Sequence, residues 1–349
     1  MPNRRSAVAD SQPEAVNQKS ILYRPKEEIV ISWIQGCGTL LVSAVLGVLT
    51  WNQTRIAQGV QQHEVMASYL AQMSEFLLER NLRTSKPTDD VRTAASSITL
   101  NAVRRLDAER KGQLLKFLYD ANLIGSCPAA PLDPKVTETI RCSPAVLQLN
   151  GAMLQQLRFE RSLNLAGITL SGMDLSDSDL QNMGLPKAVA KGATLEHTKL
   201  NRAVLNNADF TSARLQQADL TAAQLTRANL SNALLDKANF SQAILVGSNL
   251  KGAFLVGATL AQSRLDSANL TYAALLDADL SGASLVDADL RCAALQGAKL
   301  TGAALNRALL TGAQYDQTTE FPATFDKNLH AMVQVERDQR SQRPPCAIQ

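Results

Sequence analysis

Residues 208–230 read ADFTSARLQQADLTAAQLTRANL, and a large apolar side chain returns at every fifth position: Phe210, Leu215, Leu220, Leu225 and Leu230. The period holds from Leu165 to Tyr315, where 27 of 31 such positions are Leu and the others are Ala190, Phe210, Phe240 and Tyr315. Two residues before each lies a second fixed position. It is Ala at 23 of the 31, Ser at 178, 248 and 263, and Thr at 198, with Leu163, Ile168, Met173 and Met183 at the start. Five matches neither the 3.6-residue helix nor the two-residue strand. A helix patterned this way would spread its Leu residues around every side. The pattern therefore demands a coil in which each five-residue unit forms one side.

This repeat resembles that of the pentapeptide-repeat family, whose unit is A(D/N)LXX, over about 150 residues without a register slip. The resemblance implies an all-β fold, a right-handed quadrilateral β-helix with four units per coil, over residues 146–315. Stacked coils then rise about 4.8 Å each. Leu fills the axis and Ala the narrow corners. Upstream, Leu149, Leu154 and Phe159 keep the spacing, partnered by Leu147, Ala152 and Leu157, with one extra residue before Leu165. These residues read as a first coil with a bulge. Pro186 and the central Ala190 mark a coil expected to be irregular or underpacked.

A ten-residue period overlies the five. At positions ending in nine, from Asp209 to Asp289, eight of nine residues are Asp or Asn, with Thr259 the exception. Such side chains suit turns and bonds to nearby backbone. At positions ending in four the residues vary. Residues twenty apart stack on one side, which lines up Leu234, Phe254 and Ala274, with Val256 and Leu276 beside them. That column is a candidate apolar interaction patch, rimmed by Arg214, Asp236, Lys237 and Asp277. The alternative reading is side chains lying flat on a solvated face.

Outside the repeat the chain changes character. After an N-terminal tail (1–28), residues 29–51, IVISWIQGCGTLLVSAVLGVLTW, carry no charge and are long enough for a transmembrane helix. Trp33 and Trp51, the only two Trp, lie near its ends as interfacial anchors. Lys and Arg before the segment outnumber those after it. The expected orientation therefore keeps the N-terminus cytoplasmic and puts the solenoid on the periplasmic or lumenal side of a single-pass protein. Gly36, Ser43 and Gly47 form a small-residue stripe that permits self-association through this helix.

Residues 52–125 show helical apolar spacing in three segments and read as a small α-helical stalk, with a rigid spacer the preferred role. The stretch from Tyr69 to Ile124 also resembles the stalk of anchored bacterial, chiefly cyanobacterial, members of the family. A Pro-rich loop (126–145) follows, flanked by Cys127 and Cys142. These two are a candidate disulfide, which would contribute about 3 kcal/mol in the chain-entropy model; two unrelated thiols is the other reading. Cys37 and Cys292 read as structural. Residues 316–336 resemble a segment that closes cyanobacterial members, with Phe321 and Phe325 packing on the last coil, and 337–349 read as a disordered tail. The terminal Cys346-Ala347-Ile348-Gln349 is a formal prenylation box of low specificity.

Composition limits function. The three His lie in three regions (63, 197 and 330), and no nucleophile–base pair, phosphate loop or metal spacing occurs. The expectation is a non-enzyme without cofactor. Some family members mimic DNA to inhibit gyrase, which requires dense negative charge. Here residues 145–315 carry 14 Lys/Arg against 13 Asp/Glu. Nucleic acid is therefore not an expected partner, and a topoisomerase-directed mimic or an unrecognised enzyme stand as alternatives. The favoured reading is a membrane-anchored, non-catalytic scaffold whose rigid face binds a protein partner.

Overall fold

The computed structural model describes residues 57–126, 143–145, 147, 149–159, 163–326 and 331–336. The chain divides into two units, 1–61 and 62–349. Of the first, the described residues, 57–61, are helical. The second begins with helix α1 (62–78), followed after a 3₁₀ turn by α2 (Asp90–Arg105) and α3 (Ala108–Asp120). Strands β1 (Ile124–Ser126) and β2 (Ser143–Ala145) form an antiparallel pair. The repeat follows, and β3 (Gln314–Tyr315) pairs in parallel with β4 (Val333–Gln334) at its end.

The repeat is a four-sided parallel coil. From Asn164 to Ala294, each residue ending in four or nine bridges its counterpart twenty residues on, as in Asp209↔Asn229↔Asn249 and Leu234↔Phe254↔Ala274. Backbone bonding repeats with each five residues. Asp209 donates its N–H to Ala188 of the coil before. Phe210 and Ser212 donate to Asn229 and Ser231 of the coil after, and Ala213 closes the corner by donating to Phe210 at 3.0 Å. Each corner holds one residue at positive φ, such as Ser212 (56°) and Arg202 (58°). Glycine suits that conformation, but most of these corners are built from other residue types.

The fixed apolar positions are the core. Leu200, Leu220, Phe240 and Leu260 are fully buried, as are the corner residues Ala213, Ala233 and Ala253. The register also locates irregularities. Bridges before residue 160 are offset by 21 (Arg158↔Asp179) and those after by 20 (Asn164↔Gly184), so the extra residue lies ahead of Leu165. The coil with Pro186 keeps its register (Gly184↔Val204, Val189↔Asp209) rather than becoming irregular. Pro186 follows Leu185 at the second position of a corner turn, where its fixed φ fits and its missing N–H is not used by the ladder.

The helices close the solenoid's first coil. Val65, Tyr69, Met73, Leu114 and Leu118 belong to the same contiguous core as the repeat Leu residues. Leu123 accepts from Leu147, Ile124 accepts from Thr169, and the Tyr119 hydroxyl donates to Ala166 at 3.0 Å. Gly112 of α3 lies so near the coil that an added Cβ would sit 2.3 Å from the Arg158 carbonyl oxygen. A solenoid end exposes an unpaired ladder and apolar cross-section, so such a cover is a physical requirement. At the far end Tyr315 meets Phe321 edge-on at 5.6 Å, and Phe321 stacks on Phe325 at 5.0 Å.

The membrane placement is corrected. Among the described residues no helix is long and apolar enough to cross a membrane. α2 and α3 have 16 and 13 residues, short of the roughly 20 required, and α1 interleaves Gln, His and Glu with its apolar face. The single-pass arrangement with a cytoplasmic N-terminus and a periplasmic or lumenal solenoid therefore does not stand. Residues 29–51 with Trp33 and Trp51, and the pair Cys127 and Cys142, lie outside the described residues.

Candidate interaction face

The ten-residue period has a structural cause. Of the five N–H groups in a unit, the ladder and corner turn use four; the N–H one residue after the axial Leu is left over. On the sides carrying Asp or Asn, the side chain supplies its partner. Thr211 donates its N–H to Asp209 Oδ1 at 3.1 Å, Thr221 to Asp219 at 3.0 Å, and Ser241 to Asn239 at 3.0 Å. Asn229, Asn249, Asn269, Asp279 and Asp289 do the same for the residues two ahead of them. Neighbouring coils are also tied, with Asn249 donating to Asn229 at 3.1 Å. These sides are committed to structure.

Two of the carboxylates on them carry a basic partner, Lys191 at Asp209 and Arg291 at Asp289. Burial pushes the Asp209 carboxyl up, but bonds from the Thr211 hydroxyl and N–H and from Lys191 hold it below the ordinary carboxylate value. Asp289 is likewise lowered, burial being outweighed by bonds from Arg291. The Arg307 guanidinium holds exposed Asp287 down through two bonds of 2.5 Å.

The other sides are free to vary, and the apolar column lies on one of them. The bridges place Leu234, Phe254 and Ala274 in register, continuing to Ala294. Phe254 is 40% exposed and Val256 37%, while Leu234, Ala274 and Leu276 are half-buried. Gly257 donates to Leu276, so Val256 and Leu276 occupy neighbouring coils at the next corner. Asp236 accepts from the Val256 N–H at 3.2 Å, which fixes that corner. Below the column Arg214 is held by Glu196 at 2.6 Å. Leu234, Phe254 and Ala274 thus form one ladder column, and Val256 and Leu276 stand at the corner that follows it.

Tyr272 was not among them. It is 42% exposed at the corner leading into Ala274, with φ at 61°. Its position two residues before the column was the signal that could have placed it there. Among the described residues no group of His, Cys, Asp or Glu is arranged to hold a metal. His63 contacts Arg110 on the helices, and His197 sits at a solenoid corner.

The geometry defines a class, that of four-sided parallel β-solenoids built on a five-residue unit. The chain belongs to the pentapeptide-repeat family, whose profile, pentapeptide repeats, matches in eight copies over 191–223, 223–262, 255–287, 263–302 and 288–314. The right-handed β-helix of that family is the fold of the repeat. Among solved structures, HetL is 33% identical. It is a pentapeptide repeat protein involved in heterocyst differentiation regulation from the cyanobacterium Nostoc sp. strain PCC 7120. The match covers 47% of this chain and 73% of HetL, with a TM-score of 0.36. A pentapeptide repeat protein of the Arabidopsis thaliana thylakoid lumen is 27% identical over 32% of this chain and 67% of its own, with a TM-score of 0.20. QnrB1, a plasmid-mediated fluoroquinolone resistance protein, is 18% identical over 52% and 93%, with a TM-score of 0.28. No curated protein matches the chain.

Proposed function

We propose that this protein is a non-catalytic β-helical scaffold that presents one rigid side to a protein partner. The observation that carries this reading is the exposed, registered column of Leu234, Phe254 and Ala274, with Val256 and Leu276 beside it. Apolar side chains set on a ladder lose little entropy when a partner covers them, and an aromatic ring supplies a large contact area. The partner surface is therefore apolar and shaped to a flat ladder.

The test places a photo-crosslinking residue at Phe254 and, for comparison, at Gln224 on another side. A discrete adduct at 254, lost in the Leu234→Asp variant while circular dichroism is unchanged, is expected. Equal labelling from both sides would sink the proposal.

A further inference from the structure

The side that carries Leu234 and Phe254 has, with its two edges, five lysines and arginines among the described residues: Lys191, Arg214, Lys237, Lys251 and Arg291. Three of them are paired. Lys191 meets Asp209 at 3.2 Å, Arg214 meets Glu196 at 2.6 Å, and Arg291 meets Asp289 at 2.7 Å. Lys237 and Lys251 are exposed and have no ion pair among the described residues. These two bracket the apolar column. Lys251 stands at the corner entering Phe254, and Lys237 at the corner leaving Leu234 one coil earlier. The carboxylates nearby are already engaged: Asp236 accepts from the Val256 N–H at 3.2 Å, and Asp277 has a partner of its own.

We propose that this side takes an extended, acidic segment of a partner protein, with an apolar anchor on Phe254 and a carboxylate to either side of it. The proposal rests on the reading of this side as a docking face and adds the chemistry of what docks. Covering Phe254 takes the neighbouring ammonium groups partly out of water, and an ion desolvated without a counter-charge is costly. At the three paired cations the protein supplies that counter-charge itself. At Lys237 and Lys251 the partner supplies it, and the same charges steer its approach.

The shape of the side agrees. Both left-handed corner positions of the Phe254 coil are glycine, Gly252 with φ at 66° and Gly257 with φ at 64°. The coils before and after carry Asn232 and Tyr272 at one of these corners, and Lys237 and Asp277 at the other. The Phe254 coil is therefore a slot across the side, with no side chain at either of its left-handed corner positions. The Lys237 stem lies along one mouth, its Cγ 3.7 Å from where a Cβ on Gly257 would stand. Lys251 stands at the other, next in sequence to Gly252. Between corners a side spans about three extended residues, or about 10 Å. An extended partner crossing it at the same rise carries its two carboxylates about four residues apart.

The test uses the full chain with benzoylphenylalanine at position 254, which keeps an aromatic ring there, and at Gln224 for comparison. The probes are biotinylated peptides of three leucines flanked by aspartates, by asparagines or by lysines. The aspartate peptide should label position 254 at about three- to tenfold lower concentration than the asparagine peptide, with the lysine peptide weakest. Lys237→Gln/Lys251→Gln, with circular dichroism unchanged, should remove that preference. Equal labelling by all three peptides at 254, still above that at 224, overturns the acidic specificity and leaves the docking face standing. Labelling no stronger at 254 than at 224 overturns both. A preference that survives the double lysine variant overturns the role of these lysines. An adduct between two copies of the chain that the aspartate peptide does not compete away gives the face to a second copy, and overturns the proposal.

Discussion

Thr211 donates both its backbone N–H and its hydroxyl to one oxygen, Oδ1 of Asp209, at 3.1 and 2.5 Å. Lys191 approaches the other oxygen at 3.2 Å. The carboxylate completes the backbone bonding of its unit, so Asp209→Ala should cost about 1–2 kcal/mol, read as a shift in the denaturation midpoint.

The same pair sets a pH dependence. The folded pKa of Asp209 lies below its unfolded value, as does that of Asp289. The native state therefore binds fewer protons near those values. The resulting stabilisation is fully present above the ordinary carboxylate pKa of about 4, and is lost as pH falls through the lower folded value. Asp209→Asn/Asp289→Asn keeps the one oxygen in each that accepts the backbone N–H, gives up the Lys191 and Arg291 contacts of the other oxygen, and cannot titrate. Melting temperatures between pH 3 and 7 should fall less steeply at the acid end for this variant. A slope equal to the wild type's would show that other carboxylates control acid unfolding.

Thr259 interrupts the Asp/Asn column between Asn239 and Asp279. Supplying the missing acceptor with Thr259→Asn should bond the Ala261 N–H and stabilise by about 1 kcal/mol. Asn is chosen over Asp because Asp279 stands one coil above. Chemical denaturation compares the two chains, and a lowered midpoint counts against the role assigned to this column.

Much of this architecture was legible because it is local and periodic. The Leu and Ala positions declare axis and corner, and the residues ending in nine declare which sides satisfy their own backbone. Even the extra residue before Leu165 is visible as a break in spacing and returns as the change in bridge offset. The docking of α3 on the first coil was not legible, because contact between unlike elements leaves no period. Its one trace is Gly112, a residue unfavourable within a helix. The membrane reading rested on the uncharged run 29–51, its flanking Trp33 and Trp51 and the Lys/Arg asymmetry around it, whereas the described helices are amphipathic covers for a solenoid end.

Ser248 occupies a corner position that is Ala in most units, and its buried hydroxyl oxygen has no hydrogen-bond partner. Ser263, at an equivalent position, donates to Leu260 at 2.6 Å, and Thr198 donates to Leu175 at 2.9 Å. Ser248→Ala removes the unsatisfied group without changing the packed volume much. It should stabilise by about 1 kcal/mol, whereas Thr198→Ala should destabilise. Opposite signs in the two melts are the expected result.

Ala222 holds φ at 56° in a corner with a side chain that gains nothing from that conformation. Ala222→Gly should relieve the left-handed strain, worth about 1 kcal/mol, against the added freedom of glycine in the unfolded chain. The reverse change at Gly192, where φ is 60° and a Cβ would have open space, isolates the backbone effect from packing. Gly192→Ala should therefore destabilise although it creates no clash. If both variants melt with the wild type, these corners accept Ala and Gly equally, and the strain assigned to them is absent.

Gly112 tests whether the helices are a cover or a spacer. An added Cβ would lie 2.3 Å from the Arg158 oxygen, a backbone atom that cannot swing aside. Gly112→Ala must therefore move α3 off the first coil, although alanine by itself favours the helix by about 1 kcal/mol. If the helices serve as a mere spacer, the substitution should raise stability. If they close the solenoid, it should lower stability by a few kcal/mol and raise amide exchange at Leu154, Leu157 and Leu165, while Leu260 and Leu280 stay protected. Hydrogen exchange resolved along the chain distinguishes the two, because neighbour-only coupling confines the damage to the coils next to the displaced cover.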